Sequence, residues 1–143
     1  MATSVQITFD CTDPNRLATF WADVLGYQVQ PPPAGFASWE AFMTAQGIPE
    51  EAWPRVSAII DSAGHGPRIF FQHVPEPKMV KNRVHLDVNV GAGITDHATR
   101  RACVDAAAER LLLSGASQVR AVEQHGEYWI VMQDPEGNEF CLQ

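Results

Sequence analysis

Apolar and polar residues alternate strictly over residues 83–90. Val84, Leu86, Val88 and Val90 fall on one side of the pattern, and His85, Asp87 and Asn89 on the other. Side chains of an extended strand point to opposite faces with a period of two. The stretch therefore predicts a strand with one aliphatic face and one face carrying an imidazole, a carboxylate and an amide. The same alternation opens the chain: Val5, Ile7, Phe9 and Cys11 stand against Gln6, Thr8 and Asp10. The period then changes to that of a helix, with Leu17, Phe20, Trp21, Val24 and Leu25 forming one apolar stripe. Thr12 or Asp13 is placed to cap that helix, Pro14 suits its first turn, and Gly26 suits a left-handed exit.

Three further strands follow, at 27–30, 56–60 and 68–74. The first of them is stopped by Pro31, Pro32 and Pro33. Between them, residues 34–55 break the regular pattern and predict two short helices, one from Ser38 to Gly47 and one from Pro49. Pro75 and Pro77 cannot continue in a sheet and mark a connector. The second half repeats the order. After the strand holding His85, Thr95 or Asp96 caps a helix running to about Leu113, and Ser114 and Gly115 end it. Strands are expected at 118–123, 128–133 and 139–142, the last introduced by the turn Asp134-Pro135-Glu136-Gly137-Asn138. Strand–helix–strand–strand–strand thus occurs twice, which predicts an α+β protein of two βαβββ modules. Module one covers about 1–75, including the insert 34–55, and module two about 80–143.

Composition narrows the function. A chain of 143 residues suffices for one domain with a real core. A net charge of −7, without any dense run of Lys or Arg, argues against nucleic acid as a partner. Cys11, Cys103 and Cys141 leave at least one cysteine unpaired, and no C-x-x-C occurs. Reduced thiols and a cytoplasmic setting are expected. No basic stretch followed by an apolar run opens the chain, so no signal peptide is expected. The apolar runs are too short to span a bilayer, so no membrane partner is expected either. Phosphate-binding glycine loops, Ser-His-Asp order and a dinucleotide fingerprint are all absent.

Three segments carry a resemblance to a known family. They are Asp13-Pro14-Asn15-Arg16-Leu17-Ala18-Thr19-Phe20-Trp21 with Leu25-Gly26-Tyr27; Phe71-Gln72-His73-Val74-Pro75-Glu76-Pro77-Lys78 leading into Lys81-Asn82-Arg83-Val84-His85-Leu86-Asp87; and Asp134-Pro135-Glu136-Gly137-Asn138-Glu139-Phe140. In this order the chain resembles the glyoxalase / bleomycin-resistance / extradiol-dioxygenase superfamily, the vicinal oxygen chelate fold, everywhere except 34–55. The resemblance implies a curved eight-stranded cup with helices outside, one sheet from each module, and a homodimer. Metal-dependent relatives take one ligand from the first and last strand of each half. Those positions fall here on Gln6 and His85, on Cys141 where the family usually has Glu, and on Phe70 or Gln72. The usual carboxylate ligands are missing. The expectation is therefore either no cofactor or a divalent metal held by Gln6 and His85.

The remaining expectations concern chemistry. Histidine is the side chain whose ordinary pKa lies near neutrality, so His85 is the best proton-transfer candidate, with Asp87 and Asp10 to orient it. Glu139 is a second acid/base or an ion-pair partner for Arg68 or Arg83. Gln6, Thr8, Asp10, Asn89, Phe70, Gln72 and Cys141 would line the ligand pocket. Trp39, Phe42, Trp53 and Phe70 would form an aromatic wall, with the insert as a lid. The expected function is a glyoxalase-like small-molecule-binding protein, a lyase or isomerase of a small oxygenated metabolite, without the usual four-ligand metal site. The alternatives are a non-catalytic sequestering protein of the bleomycin-resistance type and a metal-dependent glyoxalase or dioxygenase relative.

Overall fold

In the computed structural model, which describes residues 1–143, the chain divides into two compact units, Met1–Pro77 and Lys78–Gln143. The first contains β1 (Ile7–Cys11), α1 (Pro14–Leu25), β2 (Gln28–Val29), α2 (Trp39–Ala45), a 3-10 turn (Glu50–Arg55), β3 (Val56–Ile60) and β4 (Ile69–His73). Local sequence sets the ends of α1. The Asp13 carboxylate accepts the Arg16 N–H at 3.1 Å, Pro14 occupies the first turn, and Gly26 exits at φ 67°. Leu17, Phe20, Trp21 and Val24 of α1 are buried, as are Ile59, Ile69 and Phe71 on the sheet it covers. Phe9 lies 5.1 Å from the Trp21 ring and 5.4 Å from Phe71, tying β1 into the same core. The strands run in the order β1-β4-β3-β2, with β1 parallel to β4 and the other pairs antiparallel. Pro54 lies within the second insert helix, which is a 3-10 turn and not an α-helix.

The second unit contains β5 (Asp87–Val88), α3 (His97–Leu113), β6 (Ser117–Gln124), β7 (Glu127–Gln133) and β8 (Glu139–Leu142). Asp96 caps α3 by accepting the Thr99 N–H at 2.8 Å. The helix buries Val104, Ala108 and Leu111, and Ile130, Met132, Phe140 and Leu142 are buried in the sheet beneath it. The order β5-β8-β7-β6 reproduces that of the first unit, with β5 parallel to β8. The protein is α+β, and its eight strands form two open four-stranded sheets. None of its helices is long and apolar enough to cross a membrane.

The strand expected over 83–90 is shorter than its alternation suggests. Asp87 pairs with Cys141 and Val88 with Leu142, and β8 begins only at Glu139. Residues before His85 therefore have no ladder partner, and Val84 is 80% exposed. Backbone bonds continue just past the assigned strand: Cys141 N–H to Leu86 at 2.9 Å, Gln143 N–H to Val88 at 3.0 Å, and Gly91 N–H to Gln143 at 3.0 Å. The alternation itself holds, with His85, Asp87 and Asn89 exposed and Leu86, Val88 and Val90 half-buried.

Candidate functional site

In the second unit, the parallel register puts Asp87 directly opposite Cys141. Paired residues share a face, so His85, two residues before Asp87, joins them there. Phe140 and Leu142 point the other way, into the core beneath α3. His85 Nε2 lies 3.3 Å from Asp87 Oδ1, with the two side chains 41% and 47% exposed. Cys141 is buried. Ligating atoms of all three lie within 4.8 Å of one another. Beyond them, Gln143 Nε2 donates to Asn89 Oδ1 at 2.9 Å. These five residues line a cavity of about 890 Å³ together with the 91–95 loop, Trp129 and the neighbouring side chains of β7 and α3.

Burial pushes the Cys141 thiol up from its ordinary value, and the adjacent Asp87 charge and a hydrogen bond to that carboxylate push it further. The thiol is thus protonated at neutral pH and donates to Asp87. Only a thiolate is a strong nucleophile or metal ligand, so without a metal to displace its proton this cysteine is a weak nucleophile.

Glu139 shares the face of Cys141 but is committed elsewhere. Its carboxylate lies 3.1 Å from Lys78 Nζ and accepts the Asn82 N–H at 2.9 Å, while Asn82 Oδ1 accepts the Glu139 N–H at 3.3 Å. Burial raises its carboxyl, but the Asn82 N–H and the Lys78 ammonium outweigh this and hold it below the usual carboxylate range. Its ion-pair partner is Lys78, not Arg68 or Arg83. Glu139 does not line the 890 Å³ cavity.

The first unit carries the corresponding row on β1 and the residue just before it. Gln6 Oε1 accepts from Arg68 Nη1 at 2.7 Å, and Asp10 Oδ1 accepts from Gln72 Nε2 at 2.7 Å. Thr8 lies between them, exposed and paired in register with Phe70. The amide oxygen expected to hold a metal is therefore engaged by a guanidinium, an unfavourable neighbour for a second cation. Trp39, Trp53 and Phe70 line a separate cavity of about 540 Å³. Phe42 is not part of that wall. It packs edge-on against Phe36 and Trp39 at 5.1 and 5.7 Å, in a small core of the insert itself.

A family model described as a glyoxalase-like domain matches residues 6–143. The chain belongs to that family. Among solved structures, this glyoxalase-like chain is similar to a glyoxalase/bleomycin resistance/dioxygenase family enzyme from Burkholderia phytofirmans PsJN, at 17% identity and TM-score 0.59 over 96% of this chain and 94% of that one. It is also similar to the fosfomycin resistance protein FosX from Mesorhizobium loti, at 14% identity and TM-score 0.63 over 100% and 91%. A mutant of FosX from Listeria monocytogenes, complexed with Mn(II) and 1S,2S-dihydroxypropylphosphonic acid, matches at 12% identity and TM-score 0.65 over 100% and 92%. At these identities the likeness establishes the vicinal oxygen chelate fold and nothing finer. No curated protein sequence matches the chain.

The donor set of this glyoxalase-like site was only partly legible in the sequence. The metal pair expected from the sequence is Gln6 and His85; within its own module the structure gathers His85 with Asp87 and Cys141. One nitrogen, one carboxylate oxygen and one sulfur suit zinc better than a hard cation such as manganese. Asp87 entered that set through its register with Cys141, which no local pattern reveals. In the first unit Arg68 was named only as a partner for Glu139, and Gln30 was not singled out at all. The signal for Arg68 was its position two residues before Phe70, just ahead of β4.

Proposed function

We propose that this glyoxalase-like protein binds a small oxygenated metabolite on the His85–Asp87–Cys141 face of its second module and moves a proton on it, as a lyase or isomerase does. The observation that carries this reading is the half-exposed His85 imidazole beside Asp87, at the wall of a cavity large enough for a metabolite. His85 takes the proton from the ligand or returns it. Asp87 fixes the ring and compensates the imidazolium that forms. The Cys141 thiol donates to Asp87 and holds the carboxylate in place. The Asn89–Gln143 amide pair offers further hydrogen-bonding groups at the cavity wall.

A second reading is favoured by the mutual approach of the three ligating atoms. In it, His85, Asp87 and Cys141 hold a divalent metal, best matched by zinc. When bound, such an ion would supply a Lewis acid for a substrate oxygen. The fold of the Mn(II)-complexed Listeria protein supports a metal in this general class, and the sulfur donor distinguishes the ion preferred here.

Two measurements test both readings. Elemental analysis of protein purified without a metal-affinity step, on wild type and His85→Ala, reads the metal directly; stoichiometric zinc lost in the variant selects the second reading. A thermal-shift screen of small metabolites with vicinal oxygens reads the ligand, because a ligand that binds the native state raises its melting temperature. The proton-transfer reading expects a ligand that stabilises wild type, is weakened in His85→Ala and is chemically changed on incubation. Equal shifts in the two proteins remove His85 from the site. A ligand bound and recovered unchanged makes the protein a sequestering one.

A further inference from the structure

The segment between β2 and β3 closes a cavity of about 540 Å³ over one face of the first module's sheet. Its wall includes Trp39, Met43 and Trp53 from the insert, and Gln30, Arg68 and Phe70 from the strands and their flanks. Both indoles are fixed by their N–H groups: Trp39 donates to the Gln30 carbonyl at 2.7 Å and Trp53 to the Ile48 carbonyl at 2.9 Å. Their donors are spent, so they offer a ligand ring faces and edges.

Arg68 supplies the charge. Its Nε donates to Gln30 Oε1 and its Nη1 to Gln6 Oε1, both at 2.7 Å, and its guanidinium carbon lies 5.2 Å from the Phe70 ring centroid. Two neutral amides and an aromatic face hold the group in place without cancelling its charge. Arg68 takes part in none of the ion pairs described, which join Lys78 to Glu139, His85 to Asp87, Arg100 to Glu127 and Arg101 to Glu123. A guanidinium has five N–H donors, so it keeps others for an anion. The cavity is also lined by the exposed carboxylates of Glu40 and Glu50, which disfavour a second negative charge on any occupant.

We infer that this cavity binds a planar aromatic monocarboxylate, its ring against the indoles of Trp39 and Trp53 and its carboxylate on the Arg68 guanidinium. A carboxylate is the planar, bidentate match to a guanidinium, and the volume lies in the range of small-ligand sites. Its lining residues belong to the first module and include none of the His85 cluster, so the inference rests on none of that cluster's features.

Isothermal titration with 2-naphthoate, its neutral isostere 2-naphthamide and the dianion 2-naphthyl phosphate decides the matter. Wild type should bind naphthoate at one equivalent, and bind the amide and the dianion roughly tenfold or more weakly, since the charge-assisted contact is lost in one and opposed by Glu40 and Glu50 in the other. Arg68→Gln should bring naphthoate down to the level of the amide, with amide binding retained as proof that the cavity is intact. His85→Ala should bind naphthoate as wild type does, even if the reading of the second module fails. No naphthoate binding, equal binding of acid and amide, an unchanged Arg68→Gln, or loss in His85→Ala would each overturn the inference. Should Arg68→Gln not fold, the three-ligand comparison on wild type decides alone.

Discussion

The two modules share strand order, pairing and helix position, yet their polar rows have come to opposite arrangements. In the first, Gln6 is bonded to Arg68 and Asp10 to Gln72. In the second, Asp87 stands between an exposed imidazole and a buried thiol. The edge strands hold the same place in both sheets but carry different rows, Gln6, Thr8 and Asp10 in one and His85, Asp87 and Asn89 in the other. The strands they pair with differ too: β4 and the residue before it present Arg68, Phe70 and Gln72, whereas β8 presents Glu139 and Cys141, with Gln143 just beyond it. A repeated scaffold fixes where side chains meet, and the residues of both paired strands decide what chemistry results.

Substitutions in the two cores should have the largest effect, and they ask whether the modules are equally dependent on their helices. Trp21→Ala and Phe140→Ala each empty a fully buried site and should cost about 3–5 kcal/mol in urea denaturation. A much smaller loss in one of them would show that its core re-packs. His85→Ala comes next, with an expected loss of about 10²–10⁴ in turnover of any identified substrate. Gln6→Ala, its counterpart in the first module, should leave turnover within a few-fold; an equal loss would end the asymmetry.

Asp87→Asn isolates the carboxylate from the imidazole. Removing its charge should lower the Cys141 pKa, so alkylation of that thiol should set in at lower pH than in wild type. Burial, the larger cause, remains, so the shift should be partial. The same raised thiol makes a stability prediction. An acid whose folded pKa exceeds its unfolded value keeps its proton while the unfolded chain gives it up. Stability should therefore fall as pH rises past about 8.5, and Cys141→Ala should flatten that fall. The smallest effect is expected at Glu139, whose lowered carboxyl stabilises above the unfolded value near 4.3 and loses that contribution as pH drops. Glu139→Gln should cost about 1 kcal/mol or less at neutral pH, since Lys78 remains partly exposed.

What the sequence disclosed follows the range of each interaction. The ends of α1 were legible because Asp13, Pro14 and Gly26 act on their own neighbours. The row of His85, Asp87 and Asn89 was legible from alternation, but the length of its strand was not, because that depends on where the distant β8 begins. The Asp87–Cys141 contact and the grip of Gln6 and Gln30 on Arg68 needed the strand register. Glu139 misled for the opposite reason: its partners Lys78 and Asn82 lie in the connector, where no periodic pattern places them. The repeat itself was the most informative signal, since it fixed the fold class before any single residue was assigned.

The thiol at the centre of the second module has one more consequence. Peroxides and other oxidants attack the thiolate form of cysteine. A Cys141 kept protonated by burial and by the neighbouring negative charge presents almost none of it. Cys141 should therefore react with peroxide more slowly than an exposed thiol of ordinary pKa, and peroxide titration of wild type against Asp87→Asn checks it.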